Sequence, residues 1–334
     1  MLSATDSGCS RVAGDKTILI AILQTIGGLV LLLGGAEVLV RGAVGLAEKL
    51  GVSKMVIGMT IVAFGTSAPE LVVSLDAALT GVPGLAVGNV VGSNIANILL
   101  ILGATAIILP LATKSDGAGR DSAVLIAGTL AFTALCYLGV LDNTAGIVLL
   151  VLFFLFLAYS WWRERGENGG SEVDEIDAVP HNMPLAILML VGGIGSVVFG
   201  ADILVEGAVF IARSAGVSEA AIGLTLVAFG TSVPELATSV VAAIRQHADV
   251  ALGNIVGSNL FNMLGIIGLV AVVADMPVPV EFFTFDLPVM VLSTLLLILF
   301  MVSGRVIGRA TGGVFLVFYA YYVLAQFYDL KPDI

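Results

Sequence analysis

The chain has 334 residues, of which 58% are hydrophobic and 12% charged, with a mean hydropathy of +1.09. Soluble domains carry roughly 25% charged residues, so a soluble enzyme is excluded. The balance of 14 basic against 25 acidic residues, net −11, argues against a nucleic-acid binder, which needs a basic surface. Cys9 and Cys136 make no disulfide framework, and His181 and His247 are too scattered for an imidazole metal site. Residues 1–16 hold two acids and no apolar core, unlike a cleaved signal peptide.

At roughly 20 apolar residues per helical span, the length allows about ten spans. Apolar runs place them at 17–40, 52–80, 84–109, 122–138 and 143–161, then at 184–211, 217–244, 249–274, 285–303 and 311–328. The expected fold is an all-α integral membrane protein of ten transmembrane helices. A segment 1–16 precedes a first five-helix unit, 17–162, and a linker 163–183 leads to a second, 184–328, with a tail 329–334. The linker is polar, carries Gly169–Gly170, and with Glu164 just inside it gathers six acids: Glu164, Glu167, Glu172, Asp174, Glu175 and Asp177.

Ten spans put both termini on one side. With them lie Arg11, Lys16, Arg213 and Lys331; the other ten basic residues lie on the opposite side. Positive residues accumulate in the cytoplasm, so the linker is expected there and both termini outside the cytoplasmic (inner) membrane.

The chain repeats itself at an offset of 165. Gly51–Leu75 reads GVSKMVIGMTIVAFGTSAPELVVSL and Gly216–Val240 reads GVSEAAIGLTLVAFGTSVPELATSV, with 16 of 25 positions identical. Gly88–Gly103, GNVVGSNIANILLILG, and Gly253–Gly268, GNIVGSNLFNMLGIIG, share ten of 16. The identities fall on Gly, Thr, Ser, Pro, Glu and Asn, so shared apolarity does not explain them. A five-span unit is odd, so the second copy is expected to enter the membrane upside down, the inverted repeat of many secondary transporters.

Glu70 and Glu235 fall near the middle of the second and seventh spans. A carboxylate at that depth costs at least ~2.5 kcal/mol and is expected to face a polar cavity. Pro69 and Pro234 cannot donate to the carbonyls of Gly65 and Gly230. Backbone oxygens around Ala63–Thr66 and Ala228–Thr231 are thereby loosened beside the hydroxyls of Thr66, Ser67, Thr231 and Ser232. Carboxylate, carbonyl and hydroxyl oxygens are the ligand set of a hard cation such as Ca²⁺ or Na⁺. Ser93 with Asn97, and Ser258 with Asn262, share helix faces that line the same cavity, whereas Asn89, Asn94, Asn254 and Asn259 read as links between helices. Glu37 has Arg41 one turn on and is expected to pair with it, while Asp202, Glu206 and Asp76 are expected to meet water.

In GTSAPE with GNVVGSNIAN, and GTSVPE with GNIVGSNLFN, the chain resembles the Ca²⁺/cation antiporter superfamily, particularly its prokaryotic sodium/calcium exchangers. The resemblance implies alternating access, with Na⁺ moving one way and Ca²⁺ the other, and no cofactor besides these transported ions. It implies that Glu70 and Glu235 hold Ca²⁺ and share in Na⁺ binding. Thr66, Ser67, Thr231, Ser232 and the carbonyls of Ala63 and Ala228 would help build the sites, and Ser93, Asn97, Ser258 and Asn262 would complete the lining. Some members carry Asp where this chain has Asn262; in potassium-dependent relatives an acid there is tied to K⁺, so K⁺ dependence is not implied.

Two other readings stand beside sodium-driven exchange. A proton-coupled or broader divalent exchanger is one, since paired glutamates also carry protons. An intramembrane enzyme is the other, but Ser67 and Ser232 have no histidine or lysine at membrane depth to act as a base.

Overall fold

The computed structural model describes residues 6–113, 117–164, 180, 182–216 and 228–328. Apart from one two-residue ribbon, its regular elements are helices. They are α1 (Asp6–Leu50), α2 (Lys54–Thr66), α3 (Ala68–Leu79), α4 (Pro83–Ile108), α5 (Ala118–Cys136), α6 (Asn143–Glu164) and α7 (Met183–Ser214). After a helical turn Ala228–Gly230 come α8 (Val233–Ile244), α9 (Ala248–Val273), α10 (Phe282–Ser303) and α11 (Arg309–Tyr328). Among the described residues seven helices are long and apolar enough to cross a membrane, and α2 with α3, bent by 47°, make an eighth. α11 overlaps the predicted run 311–328, and the shorter α8 covers the second part of the run 217–244, of which 217–227 lie outside the described residues. Most of the linker 163–183, the segment 1–5 and the tail 329–334 lie outside the described residues.

Burial sorts the helices into a centre and a periphery. In its most apolar stretch α9 is 89% buried and α4 72%, against 22% for α1 and 28% for α7. The side chains that α1 and α7 turn outward are apolar, among them Leu23, Val30, Leu188 and Phe199, the pattern of a lipid-facing surface. α4 and α9 fill the middle, with α6 packed on α9 and α11 on α4.

α1 and α7 pack along one another, antiparallel, and glycines at seven-residue spacing let them do so. A Cβ at Gly28 would lie 2.5 Å from Leu204 N, one at Gly35 2.7 Å from Ser196 Cβ, and one at Gly42 2.5 Å from Leu190 N. Gly193, Gly200 and Gly207 meet Leu39, Leu32 and Thr25 in the same way. Adding 165 to one partner and subtracting it from the other converts Gly28–Leu204 into Gly193–Leu39. The two halves therefore exchange roles across this seam.

The ribbon obeys the same exchange to within one residue. β1 (Val140–Leu141) pairs antiparallel with β2 (Met276–Pro277), Leu141 opposite Met276. Leu111 and Ile307 bridge through two hydrogen bonds of 3.0 and 2.9 Å. Each pairing joins a loop of one half to a loop of the other.

Candidate functional site: two interlocked helix breaks

The site is built by Pro69 and Pro234. Neither ring nitrogen can donate to the carbonyl four residues back, so the helix stops, turns and restarts. The turn residues are Ser67 (φ −85°, ψ 11°) and Ser232 (φ −93°, ψ 2°). Each new helix carries its proline at the start, where the missing N–H costs nothing, and its glutamate in the first turn. Glu70 and Glu235 thus sit at the positive ends of α3 and α8, a favourable place for a carboxylate. The Ala63 carbonyl accepts the Ser67 N–H at 3.0 Å and lies 3.4 Å from the Thr66 hydroxyl, whose shorter contact is to Asn254 Oδ1 at 3.1 Å. Ala228 lies in the turn that precedes the second break.

The two breaks face each other and interlock. Ser67 Oγ donates to Glu235 Oε1 at 2.7 Å, and Ser232 Oγ donates to Glu70 Oε1 at 3.2 Å. A serine hydroxyl has one proton. Ser67 therefore spends its proton on the carboxylate, and Ser258, with Oγ–Oγ 3.0 Å, donates to Ser67. Both carboxylates are 1% exposed, and among the described residues neither pairs with a basic side chain.

Around them the residues singled out from the sequence are brought together and buried: Thr66, Ser67, Ser93, Asn97, Ser232, Ser258 and Asn262. Among the described residues the oxygens of four, Glu70 Oε2, Glu235 Oε2, Asn97 Oδ1 and Asn262 Oδ1, are buried without a hydrogen-bond partner. Such a group costs about 1–3 kcal/mol, so a cluster of them is kept for a ligand or a mechanism. Oxygen acceptors around two carboxylates suit a hard cation. Among the described residues no three His, Cys, Asp or Glu side chains gather.

The lining amides divide into two kinds. Asn97 donates to Asn259 Oδ1 at 2.9 Å, and both Asn97 and Asn262 lie at the start of wider π-turns, Asn97–Leu102 and Phe261–Ile266, a local geometry frequent at functional sites. Asn89 Nδ2 donates to the Glu70 carbonyl (3.2 Å) and Ser74 Oγ (3.0 Å), and Asn254 Nδ2 to the Glu235 carbonyl (3.4 Å) and Ser239 Oγ (3.1 Å). Ser74 and Ser239 were not singled out from the sequence, although their identity at the repeat offset marks them.

The two ends of the site differ. α1 lies along α8, so Ala237, Thr238 and Val241 are 5%, 0% and 9% exposed. Among the described residues α7 makes no comparable contact with α3, and the equivalent Val72, Val73 and Asp76 are exposed. Glu37 pairs with Arg41 as expected and also with Arg245, which the sequence reading missed: Arg245 Nε–Glu37 Oε2 is 2.8 Å and Arg245 Nη2–Glu37 Oε1 2.5 Å. At the repeat positions Asp202, Glu206 and Thr80 replace Glu37, Arg41 and Arg245, so no equivalent pairing is possible. One end is sealed and tied, and the other is uncovered.

A further pair of acids went unnoticed in the sequence, Asp121 and Asp286, one repeat offset apart. Arg120 Nε donates to Asp121 at 2.9 Å; Asp286 Oδ1 instead accepts from Tyr322 (2.8 Å) and Gln326 (2.5 Å), joining α10 to α11.

A many-helix apolar body around two interlocked, carboxylate-bearing helix breaks defines an all-α multi-pass membrane transport protein. The chain belongs to the sodium/calcium exchanger protein family, whose pattern matches residues 20–162 and 185–328. It is 40% identical over 290 residues to the putative antiporter CaxA of Alkalimonas amylolytica, covering 84% of this chain and 90% of that one. It is 33% identical to the sodium/calcium exchanger MaX1 of Methanosarcina acetivorans, covering 90% and 97%. Its fold superposes on the sodium-calcium exchanger NCX_Mj, soaked without Na⁺ and Ca²⁺, with a TM-score of 0.81 at 32% identity over 92% of this chain and 99% of that one. The family is one of transporters, not enzymes.

Proposed function

We propose that this protein is a secondary antiporter that exchanges Na⁺ for Ca²⁺ across the cytoplasmic membrane by alternating access. Its ten spans form two inverted five-helix repeats, with the linker in the cytoplasm and both termini outside. The observation that carries the reading is the reciprocal pair Ser67–Glu235 and Ser232–Glu70, with an unpartnered oxygen on each carboxylate. The ions are held by Glu70 and Glu235, by Thr66, Ser67, Thr231 and Ser232, by Ser93, Ser258, Asn97 and Asn262, and by the carbonyls of Ala63 and Ala228.

Charge explains the coupling. Two carboxylates are neutralised by one Ca²⁺ or by Na⁺ ions bound near them, so either loaded site closes without a buried charge. Closing it empty would bury two unpaired carboxylates at several kcal/mol each, which suppresses leak. The seam between α1 and α7, whose contacts interchange at the offset of 165, supports the inverted repeat. With the basic-rich side cytoplasmic, Arg245 and the covered α8 end face inward, and the uncovered face of α3 lies toward the outside of a site whose carboxylates are themselves buried.

The test is ⁴⁵Ca²⁺ uptake into proteoliposomes loaded with Na⁺, K⁺ or protons. An outward Na⁺ gradient is expected to drive uptake, and Glu70→Gln or Glu235→Gln to abolish it at normal expression. Uptake driven equally by a proton gradient, or wild-type flux in both variants, would overturn the assignment.

A further inference from the structure

Asn254 touches three groups with one side chain. Its Nδ2 holds the Glu235 carbonyl and Ser239 Oγ, and its Oδ1 accepts the Thr66 hydroxyl at 3.1 Å. Thr66 belongs to the other repeat. All of this is buried, with Asn254 and Thr66 each 0% exposed. Asn89 makes the same two amide contacts, to the Glu70 carbonyl and Ser74. The third contact is missing: among the described residues the hydroxyl of Thr231, repeat partner of Thr66, is buried and makes no bond to Asn89, its neighbour being the Glu70 carboxylate. The difference follows the covering of the helices, because α1 seals α8 and α7 leaves α3 uncovered.

We infer that Asn89 and Asn254 are positioning residues that act in alternation, each fixing the carboxylate-bearing turn of its own repeat throughout and capturing the threonine of the opposite repeat only when its own side is closed. The chemistry follows from the single proton of a hydroxyl. A threonine that donates to an asparagine oxygen has both lone pairs fixed toward the cavity, ready for a cation. A threonine released from the asparagine is free to turn its proton toward the carboxylate beside it, as Thr231 can toward Glu70. Asn254 thus tunes Thr66 as a ligand while the site is open outside, and Asn89 is placed to tune Thr231 while it is open inside.

This inference rests on the antiport reading for its kinetics but not for its conformational test. The conformational test labels Asp76→Cys, on the uncovered face of α3, with an impermeant maleimide in a background lacking Cys9 and Cys136. Loss of one net hydrogen bond is worth about 2- to 10-fold. Asn254→Ala is expected to slow labelling by about that factor, because it weakens the conformer described here, and Asn89→Ala to leave it unchanged or faster. In transport, Asn254→Ala is expected to raise KM for ions on the outside and Asn89→Ala for ions on the inside, each by about 2- to 10-fold with Vmax nearly unchanged. Thr66→Val and Asn254→Ala should be non-additive on the outer KM and additive on the inner one. Where alanine prevents folding, Asn254→Ser gives the same comparison, being too short to reach Thr66. Equal shifts on both sides, or labelling that moves the same way or not at all in both variants, would overturn the inference. If labelling splits as expected while Na⁺ drives no Ca²⁺ flux, the switch stands and the antiport reading falls.

Discussion

Replacing Arg245 by glutamine should loosen one end of the transporter and leave the other untouched. Arg245 grips both oxygens of Glu37 through Nε and Nη2, at 2.8 and 2.5 Å, while Arg41 shares Oε1 at 2.6 Å. The grip spans 208 residues of sequence and ties α1 to the corner between α8 and α9. Bidentate geometry favours it, but the Arg245 side chain is 39% exposed and that of Glu37 25%, so solvent screens the pair. A net value of about 0.5–1 kcal/mol is appropriate for such a pair, which is a 2- to 5-fold change in an equilibrium. Because Thr80 stands where Arg245 would be and Asp202 where Glu37 would be, nothing at the opposite end offsets the loss. Arg245→Gln is therefore expected to speed maleimide labelling of Val241→Cys, now covered by α1, by about 2- to 5-fold, and to do so less at high salt. Glu37→Gln removes the same bond and also the Arg41 pair within α1, so the double variant should match Glu37→Gln and the two substitutions should not add. Equal acceleration at Asp76→Cys, or additive effects of the two substitutions, would refute the reasoning.

Other outcomes follow from the same geometry. Ser67→Ala removes the 2.7 Å bond to Glu235, and Ser232→Ala the 3.2 Å bond to Glu70. A hydrogen bond to a charged group is worth about 1.5–3 kcal/mol, so Ca²⁺ affinity by isothermal titration should fall at least about tenfold, more for Ser67 than for Ser232; equal affinities in wild type and both variants would count against the site. Tyr322→Phe leaves Asp286 with Gln326 as its one donor among the described residues and should lower stability by about 1–3 kcal/mol, seen as a lower melting temperature in detergent. An unchanged melting temperature would mean that the bond is not made. Gly200→Val would drive a side chain into the backbone of Leu32 and should abolish folded expression, judged by size-exclusion profile, whereas Gly192→Ala meets nothing within 4 Å and should express normally.

Much of the site was legible because the chain states it twice. The offset of 165 made Glu70 and Glu235, their prolines and their serines stand out from a background of apolar residues. A proline's effect on a helix is local, so the 47° break at Ser67 was also readable. What stayed hidden depends on which repeat touches which. Nothing in the spacing of Ser67 says that its proton goes to Glu235 rather than to Glu70, 165 residues earlier. Arg245 escaped notice because its partner lies far away in sequence and its repeat position is Thr80, so the repeat that disclosed the site concealed the tie. Asp121 and Asp286 were readable at the same offset but lie outside the two signature stretches. The π-turns at Asn97 and Phe261 are set by packing and leave no composition signal.

The two loop pairings, Leu141 with Met276 and Leu111 with Ile307, have a mechanical consequence. They tie loops of one half to loops of the other at two separate places, and α4 and α9 fill the space between. That assembly is a chassis. The α1–α7 pair is fastened to it by α8 and Arg245 at one end and turns apolar side chains outward, so on the antiport reading it would be the part that moves. A hydrogen-bonded antiparallel pair holds its Cα atoms about 5.5 Å apart, within disulfide range. Welding the chassis with Leu111→Cys and Ile307→Cys should therefore leave exchange running, and a weld between α1 and α8 should stop it.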